Sequence, residues 1–174
     1  PVTNPEWFPE FMFDTTQNWL QTISTIADRC ICVSKSTADA YDKWLKNNYQ
    51  GIIQTPLVAW SHNGADIERN IVDKGLSGEV ESFTKRIKES TSFLMVGTIE
   101  PRKMHSQVLS AFDELWSKGF DVKLIIAGSE GWRNVQQKER IYISELVERI
   151  TKHPENGKRL FWLNGISDEF LIEI

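Results

Sequence analysis

The sequence is poor in the residues that build metal centres and disulfide frameworks: its 174 residues hold two cysteines and three histidines. Cys30 and Cys32 stand two apart in an apolar run, on one face of a strand, where they cannot easily bridge each other. No further cysteine or histidine completes a ligand set around them, so buried free thiols are expected. No apolar run approaches the roughly 20 residues that cross a bilayer, and no basic, apolar and small-residue succession marks a signal peptide. A soluble, cytoplasmic chain is the expectation. An excess of charge is also missing: the formal net charge is −4, with acidic and basic residues interspersed. There is no basic stripe of the kind that reads a phosphate backbone, so nucleic acid is not expected as a partner. Finally, no G-x-G-x-x-G follows an expected strand and no G-x-x-x-x-G-K-[ST] is present, which argues against a nicotinamide enzyme and a P-loop NTPase.

What the sequence does contain is an alternation of helical and strand patterns. Trp19, Leu20, Ile23 and Ile26 recur at helical spacing and predict a helix over Asp14 to Ala27, capped by Asp14 or Thr15. A β-prone run follows at Arg29 to Val33. Ser34 then caps a helix from Thr37 to Asn47 whose apolar side carries Ala38, Tyr41, Trp44 and Leu45. Thr55 to Trp60 reads as a strand that Pro56 confines to a start or an edge. Between Ser61 and Ser92 the pattern turns polar and glycine-interrupted, with a short amphipathic stretch near Phe83 to Ile87, and reads as a linker or long excursion. Beyond it come strand Ser92 to Val96, helix Lys103 to Lys118, strand Val122 to Ala127, a helix near Val135 to Lys152, and strand Leu160 to Leu163. These strands are continuous apolar runs, as in a parallel sheet covered on both faces. The predicted fold class is α/β, a doubly wound, Rossmann-like parallel sheet.

In such a sheet the ligand sits off the carboxyl ends of the strands, where turns lead into helix N-termini. Three turns qualify: Gly97-Thr-Ile-Glu-Pro-Arg-Lys, Gly128-Ser-Glu-Gly-Trp and Asn164-Gly-Ile-Ser-Asp. The first joins a glycine, a carboxylate and two cations at the mouth of a helix, a natural place for a diphosphate. Arg102 would hold phosphate by a planar fork and Lys103 as a point charge. From spacing alone, a pair of cations solvating a surface loop explains the turn as well. Gly128 and Gly131 bracket the second turn and could let the chain pass near a ligand, but ordinary turn chemistry is the favoured reading. Ser167 is a credible N-cap of the last helix, which accounts for it as well as contact with a nucleobase does. His62, His105 and His153 are scattered, and none is paired with an obvious nucleophile. His105 lies in the first turn of the phosphate-facing helix, within reach of a ligand.

Taken in order and spacing, FLMVGTIEPRK, VKLIIAGSEGW and RLFWLNGISDEFL resemble the C-terminal domain of GT-B glycosyltransferases of the large retaining family 4. NPEWFPEF, ADRCICVSKSTADAYDKWL and HNGADI look like the end of that family's first domain and its crossover. The resemblance implies residues 1–60 as the end of an acceptor-side domain, 61–91 as the crossover or linker, and 92–174 as an incomplete nucleotide-sugar-binding domain. It implies a nucleotide-diphosphate sugar as donor substrate, its diphosphate met by Gly97, Thr98 and either Arg102 or Lys103. Gly128 would lie near the nucleotide, and Asn164, Gly165, Ile166 and Ser167 near the base. Sugar transfer would retain the anomeric configuration, with no cofactor and no metal.

Many family members have glycine after the lysine, where Met104 stands here, and a basic residue after the strand glycine, where Thr98 stands. The resemblance further implies a saccharide or lipid-linked acceptor, work in bacterial surface-polysaccharide assembly, and peripheral association of the intact enzyme with the inner face of the membrane. The chain opens at Pro1 without a methionine and stops at Ile174 within a helix, so an excised fragment is expected. The family's paired glutamates seven residues apart would fall beyond Ile174, and no transferase activity is expected of the chain by itself. A noncatalytic α/β binding module is the competing reading. On it, Trp7, Phe8, Phe11 and Phe13 form a docking or membrane-surface patch, whereas such an aromatic cluster more often packs against its own domain, which is the expectation here.

Overall fold

The computed structural model describes residues 4–49, 55–64 and 78–174, and they fall into two compact units divided between Asn70 and Ile71. Residues 65–77 of the expected linker, including part of HNGADI, lie outside the described residues.

The first unit is a βαβ unit with an added helix: α1 (Glu10–Ile26), β1 (Arg29–Cys32), α2 (Lys35–Asn48) and β2 (Leu57–Trp60). The strands pair in parallel, Arg29 opposite Leu57 and Cys32 opposite Trp60. Ser34 caps α2 as its sequence predicts, its side chain accepting from the Thr37 amide, and the four expected apolar residues of α2 are all buried. α1 begins four residues before Asp14, directly after Pro9, whose fixed backbone suits a helix entrance. Its expected apolar face is buried only in part. Leu20 and Ile23 pack against Tyr41, Trp44 and Leu45, whereas Trp19 and Ile26 are exposed, because α1 has a single helix to lie on within this unit. The expected packing of the aromatic start is likewise partial: Phe8 and Phe13 are half-buried, Trp7 and Phe11 exposed. Cys30 and Cys32 share one face of β1 as free thiols, half-buried rather than buried.

The second unit is a three-stranded parallel sheet, β3 (Thr91–Val96), β4 (Val122–Ala127) and β5 (Leu160–Leu163), in that spatial order. α4 (His105–Ser117) and α5 (Ile141–Thr151) cross over on one face, where Leu109, Phe112, Ile143 and Ile150 close over Leu124 and Ile126. α3 (Gly78–Lys88) and α6 (Asp168–Glu173) flank the unit, and Ile87 and Phe83 of α3 pack against Ile125 and Phe161 on the opposite face. Helices therefore cover both faces, as the continuous apolar run of β4 requires. The part of the expected linker around Phe83 to Ile87 is thus a helix of this unit. It is tied to the sheet by Lys123, a buried lysine whose ammonium donates to the Arg86 carbonyl in the last turn of α3 at 2.7 Å.

β3 departs from expectation: among the described residues it pairs with β4 on one side only, and Phe93, Leu94 and Val96 remain exposed despite their apolar run. α5 is shorter than its sequence predicts. The stretch before it is a loop with a 3-10 turn at Gln137–Glu139, held by an ion pair between Glu130 and Arg140 that sequence spacing does not reveal. The orientation of α4 against α5 is fixed by Asp113, which accepts from Arg149 at 2.6 Å and from His153 at 2.7 Å. His153 thus has a packing role.

Candidate donor site at the carboxyl end of the sheet

β3 does not stop at Val96 as a free loop. Its backbone runs on beside the continuation of β4: the Gly97 amide donates to the Ala127 carbonyl at 2.9 Å, and the Ile99 amide to Ser129 at 2.9 Å. The Gly131 amide closes the ribbon on the Ile99 carbonyl at 3.2 Å. Ile99, fully buried, pins this extension into the core. The two glycines at the start of the ribbon touch. A Cβ on Gly128 would lie 2.2 Å from the Gly97 carbonyl oxygen, and one on Gly131 would lie 2.6 Å from the Ile99 oxygen. Gly128 is therefore required for strand-to-strand contact. β5 joins the same end, since the Gly128 amide donates to Leu163 at 3.0 Å and the Trp162 indole to the Gly128 carbonyl at 2.9 Å.

From Ile99 the chain turns through extended Glu100 into a 3-10 turn, Pro101–Lys103, and then through Met104 into α4. Pro101 supplies the fixed backbone angle for the turn. Met104 has φ 58°, in the left-handed region that glycine occupies without penalty. The glycine that many family members carry after the lysine is what this angle favours. Met104 is 41% exposed and so contributes little packing. Met104→Gly is expected to stabilise the protein by about 1 kcal/mol, read as a higher urea midpoint.

The turn sorts its two cations. Arg102 is exposed, and its Nε donates to the Glu100 carboxylate at 2.8 Å, so its charge is already engaged. Lys103 is half-buried and folds back across Gly97: a Cβ on Gly97 would meet Lys103 Cε at 3.4 Å and Nζ at 3.6 Å. Among the described residues the salt bridges include none to Lys103. Its ammonium thus stands at the carboxyl end of β3, beside a helix that has no side-chain cap and no acidic residue in its first turn. That combination of a point charge and the positive end of a helix suits an anion.

The structure brings Gly97, Thr98, Lys103 and Gly128 together and leaves Arg102 at the rim. Asn164, Gly165, Ile166 and Ser167 follow β5 at the same end of the sheet, with Asn164 and Gly165 exposed. Ser167 caps α6, accepting from the Phe170 amide at 3.3 Å, so its side chain has a structural occupation. The sequence reveals no role for Ile99 or for the Glu130–Arg140 pair. The spacing of Gly128 and Gly131 was the one visible signal.

His105, the first residue of α4, is fully buried, and neither ring nitrogen has a hydrogen-bond partner of good geometry. Its pKa is held below the ordinary 6.5 chiefly by burial; the Gly97 carbonyl and Glu100 act to raise it, and Lys103 to lower it. Among the described residues, no group of three or more histidine, cysteine or acidic side chains is placed to hold a metal ion. No helix among them is long and apolar enough to cross a membrane.

Residues 79–173, the whole of this sheet and its helices, match the family model of the glycosyl transferases group 1. The chain belongs to the group 1 glycosyl transferases. This family assignment, with parallel sheets flanked by helices, agrees with the GT-B likeness of the sequence. Three curated relatives, each described as the serotype-specific mannosyltransferase WbdA of Escherichia coli, are 38% identical across the whole of this chain. The chain spans 20% of their length. No solved structure matches significantly.

Proposed function

We propose that this group 1 glycosyl transferase chain carries the diphosphate-binding half of a sugar-nucleotide donor site. The observation that supports it is the position of Lys103, an ammonium without an ion pair among the described residues, laid across Gly97 at the mouth of α4. In the reaction we infer, the bond between the anomeric carbon and the diphosphate oxygen breaks, and its electron pair leaves with the nucleoside diphosphate. The acceptor hydroxyl oxygen bonds to the same carbon with retained configuration, and its proton passes to the departing diphosphate oxygen. Negative charge grows on the diphosphate as it departs, and Lys103 with the first amides of α4 would stabilise that charge without a metal. Thr98 and the Gly97 backbone line the approach, and Asn164 to Ser167 would meet the base. The mannosyl transfer in the relatives' description makes a mannosyl donor and a saccharide acceptor the first candidates, in bacterial polysaccharide assembly at the cytoplasmic face of the membrane.

A thermal-unfolding screen of the full-length protein with GDP-mannose, UDP-glucose and dTDP-rhamnose tests this reading. One of them is expected to raise Tm, with free mannose inert, because a ligand that binds only the folded state stabilises by RT ln(1 + [L]/Kd). No shift with any sugar nucleotide at millimolar concentration would sink the proposal.

A further inference from the structure

We propose that donor binding at the Gly97–Lys103 turn is linked to uptake of a proton by His105. The inference rests on the reading that a diphosphate docks against Lys103. It starts from an unexplained group: a fully buried imidazole at the first position of a 13-residue helix, next to the turn, with no hydrogen bond of good geometry on either ring nitrogen and the Gly97 carbonyl acting on it. Buried polar side chains are nearly always hydrogen-bonded, and an unmade bond carries a penalty, so a ring left this way next to a charged turn calls for a reason.

The charged groups around the ring supply one. Lys103 and Glu100, both on the turn, act on it in opposite directions, and the Gly97 carbonyl faces it as an acceptor for its protonated form. From α5, Arg149 reaches the neighbouring Ser106, but its charge is engaged by Asp113. In the free protein, burial and Lys103 together favour the neutral ring. A diphosphate brings two negative charges to Lys103, offsets its repulsion of a second cation, and leaves a net negative field over His105. The imidazolium is then favoured, with the Gly97 carbonyl to accept its proton. Sign follows from linkage: a ligand that raises a pKa binds more tightly as pH falls from above the bound-state value towards the free-state value. The diphosphate ester of a sugar nucleotide keeps its charge between pH 6 and 8, so the ligand itself adds no titration there.

The test uses the sugar nucleotide that stabilises most among GDP-mannose, UDP-glucose and dTDP-rhamnose. By calorimetry on the full-length protein, Kd is expected to fall a few-fold from pH 8 to pH 6, since a pKa rise of about one unit yields its full tenfold only once pH lies below the free-state value. His105→Gln, polar but not titratable, is expected to change its Kd less than about twofold over the same range. By NMR of the unaltered protein, the His105 ring should titrate at higher pH with donor than without. A pH-independent Kd, a His105→Gln variant that keeps the pH dependence, or a ring that titrates identically in both states would overturn the proposal. The NMR measurement decides even where His105→Gln fails to fold. A Lys103→Ala variant that binds donor like wild type would instead overturn the diphosphate reading, whereas a flat pH profile with Lys103-dependent binding would overturn this linkage alone.

Discussion

Gly128→Ala is expected to destabilise the second unit by about 3 kcal/mol or more, enough to unfold a protein of ordinary marginal stability. The added methyl would stand 2.2 Å from the Gly97 carbonyl oxygen and 2.6 Å from its carbon, both backbone atoms. Neither can yield cheaply, because Gly97 and Gly128 are both held in the ribbon by backbone hydrogen bonds to Ala127 and Leu163. The Gly128 backbone, at φ 157°, adds a conformation that side chains rarely adopt. Gly165→Ala makes the control. It shares a positive φ, 72°, but a Cβ there meets nothing within 4 Å, so its cost is the strain alone, roughly 1 kcal/mol. Urea denaturation of the two variants should separate steric exclusion from backbone strain. Similar losses in both would mean that the contact between the first and second turns is not what Gly128 provides.

Lys103→Ala is expected to weaken donor binding by about 10- to 100-fold, the worth of a charge-assisted hydrogen bond of roughly 1.5 to 3 kcal/mol. Stability should hardly change, since Lys103 is only half-buried and has no ion pair among the described residues. Arg102→Ala should lose far less affinity. Its guanidinium is committed to Glu100, and an ion pair whose arginine is exposed to solvent contributes little to stability either. Lys103→Arg is not a silent replacement, because the longer planar fork would have to lie in the space over Gly97 that the lysine side chain now takes. Thermal unfolding alongside the titrations checks that affinity, and not folding, has changed.

Some of this architecture is legible in the residues. β4 and β5 fall where the apolar runs Val122–Ala127 and Leu160–Leu163 stand, because a buried parallel strand must be apolar on both faces. The Ser34 and Ser167 caps follow from side chains that bond the backbone locally. Features that depend on distant parts of the chain were not legible. α3 hides in a polar, glycine-broken stretch because Phe83 and Ile87 are a sparse stripe whose partners, Ile125 and Phe161, are far away in sequence. α5 starts late because the Glu130–Arg140 pair holds the loop before it. At the site, Arg102 and Lys103 are adjacent and equivalent in sequence. Only the fold back over Gly97 and the bond to Glu100 distinguish them. Gly128 reads as common turn chemistry until the Gly97 carbonyl is seen against it.

The turn between β3 and α4 is expected to receive a donor diphosphate through Lys103. Calorimetric titration of the stabilising sugar nucleotide into the full-length wild type, Lys103→Ala and Arg102→Ala tests it most directly. The expected result is a Kd raised about 10- to 100-fold by Lys103→Ala and a few-fold at most by Arg102→Ala. Unchanged affinity in Lys103→Ala, or a larger loss in Arg102→Ala, would contradict it.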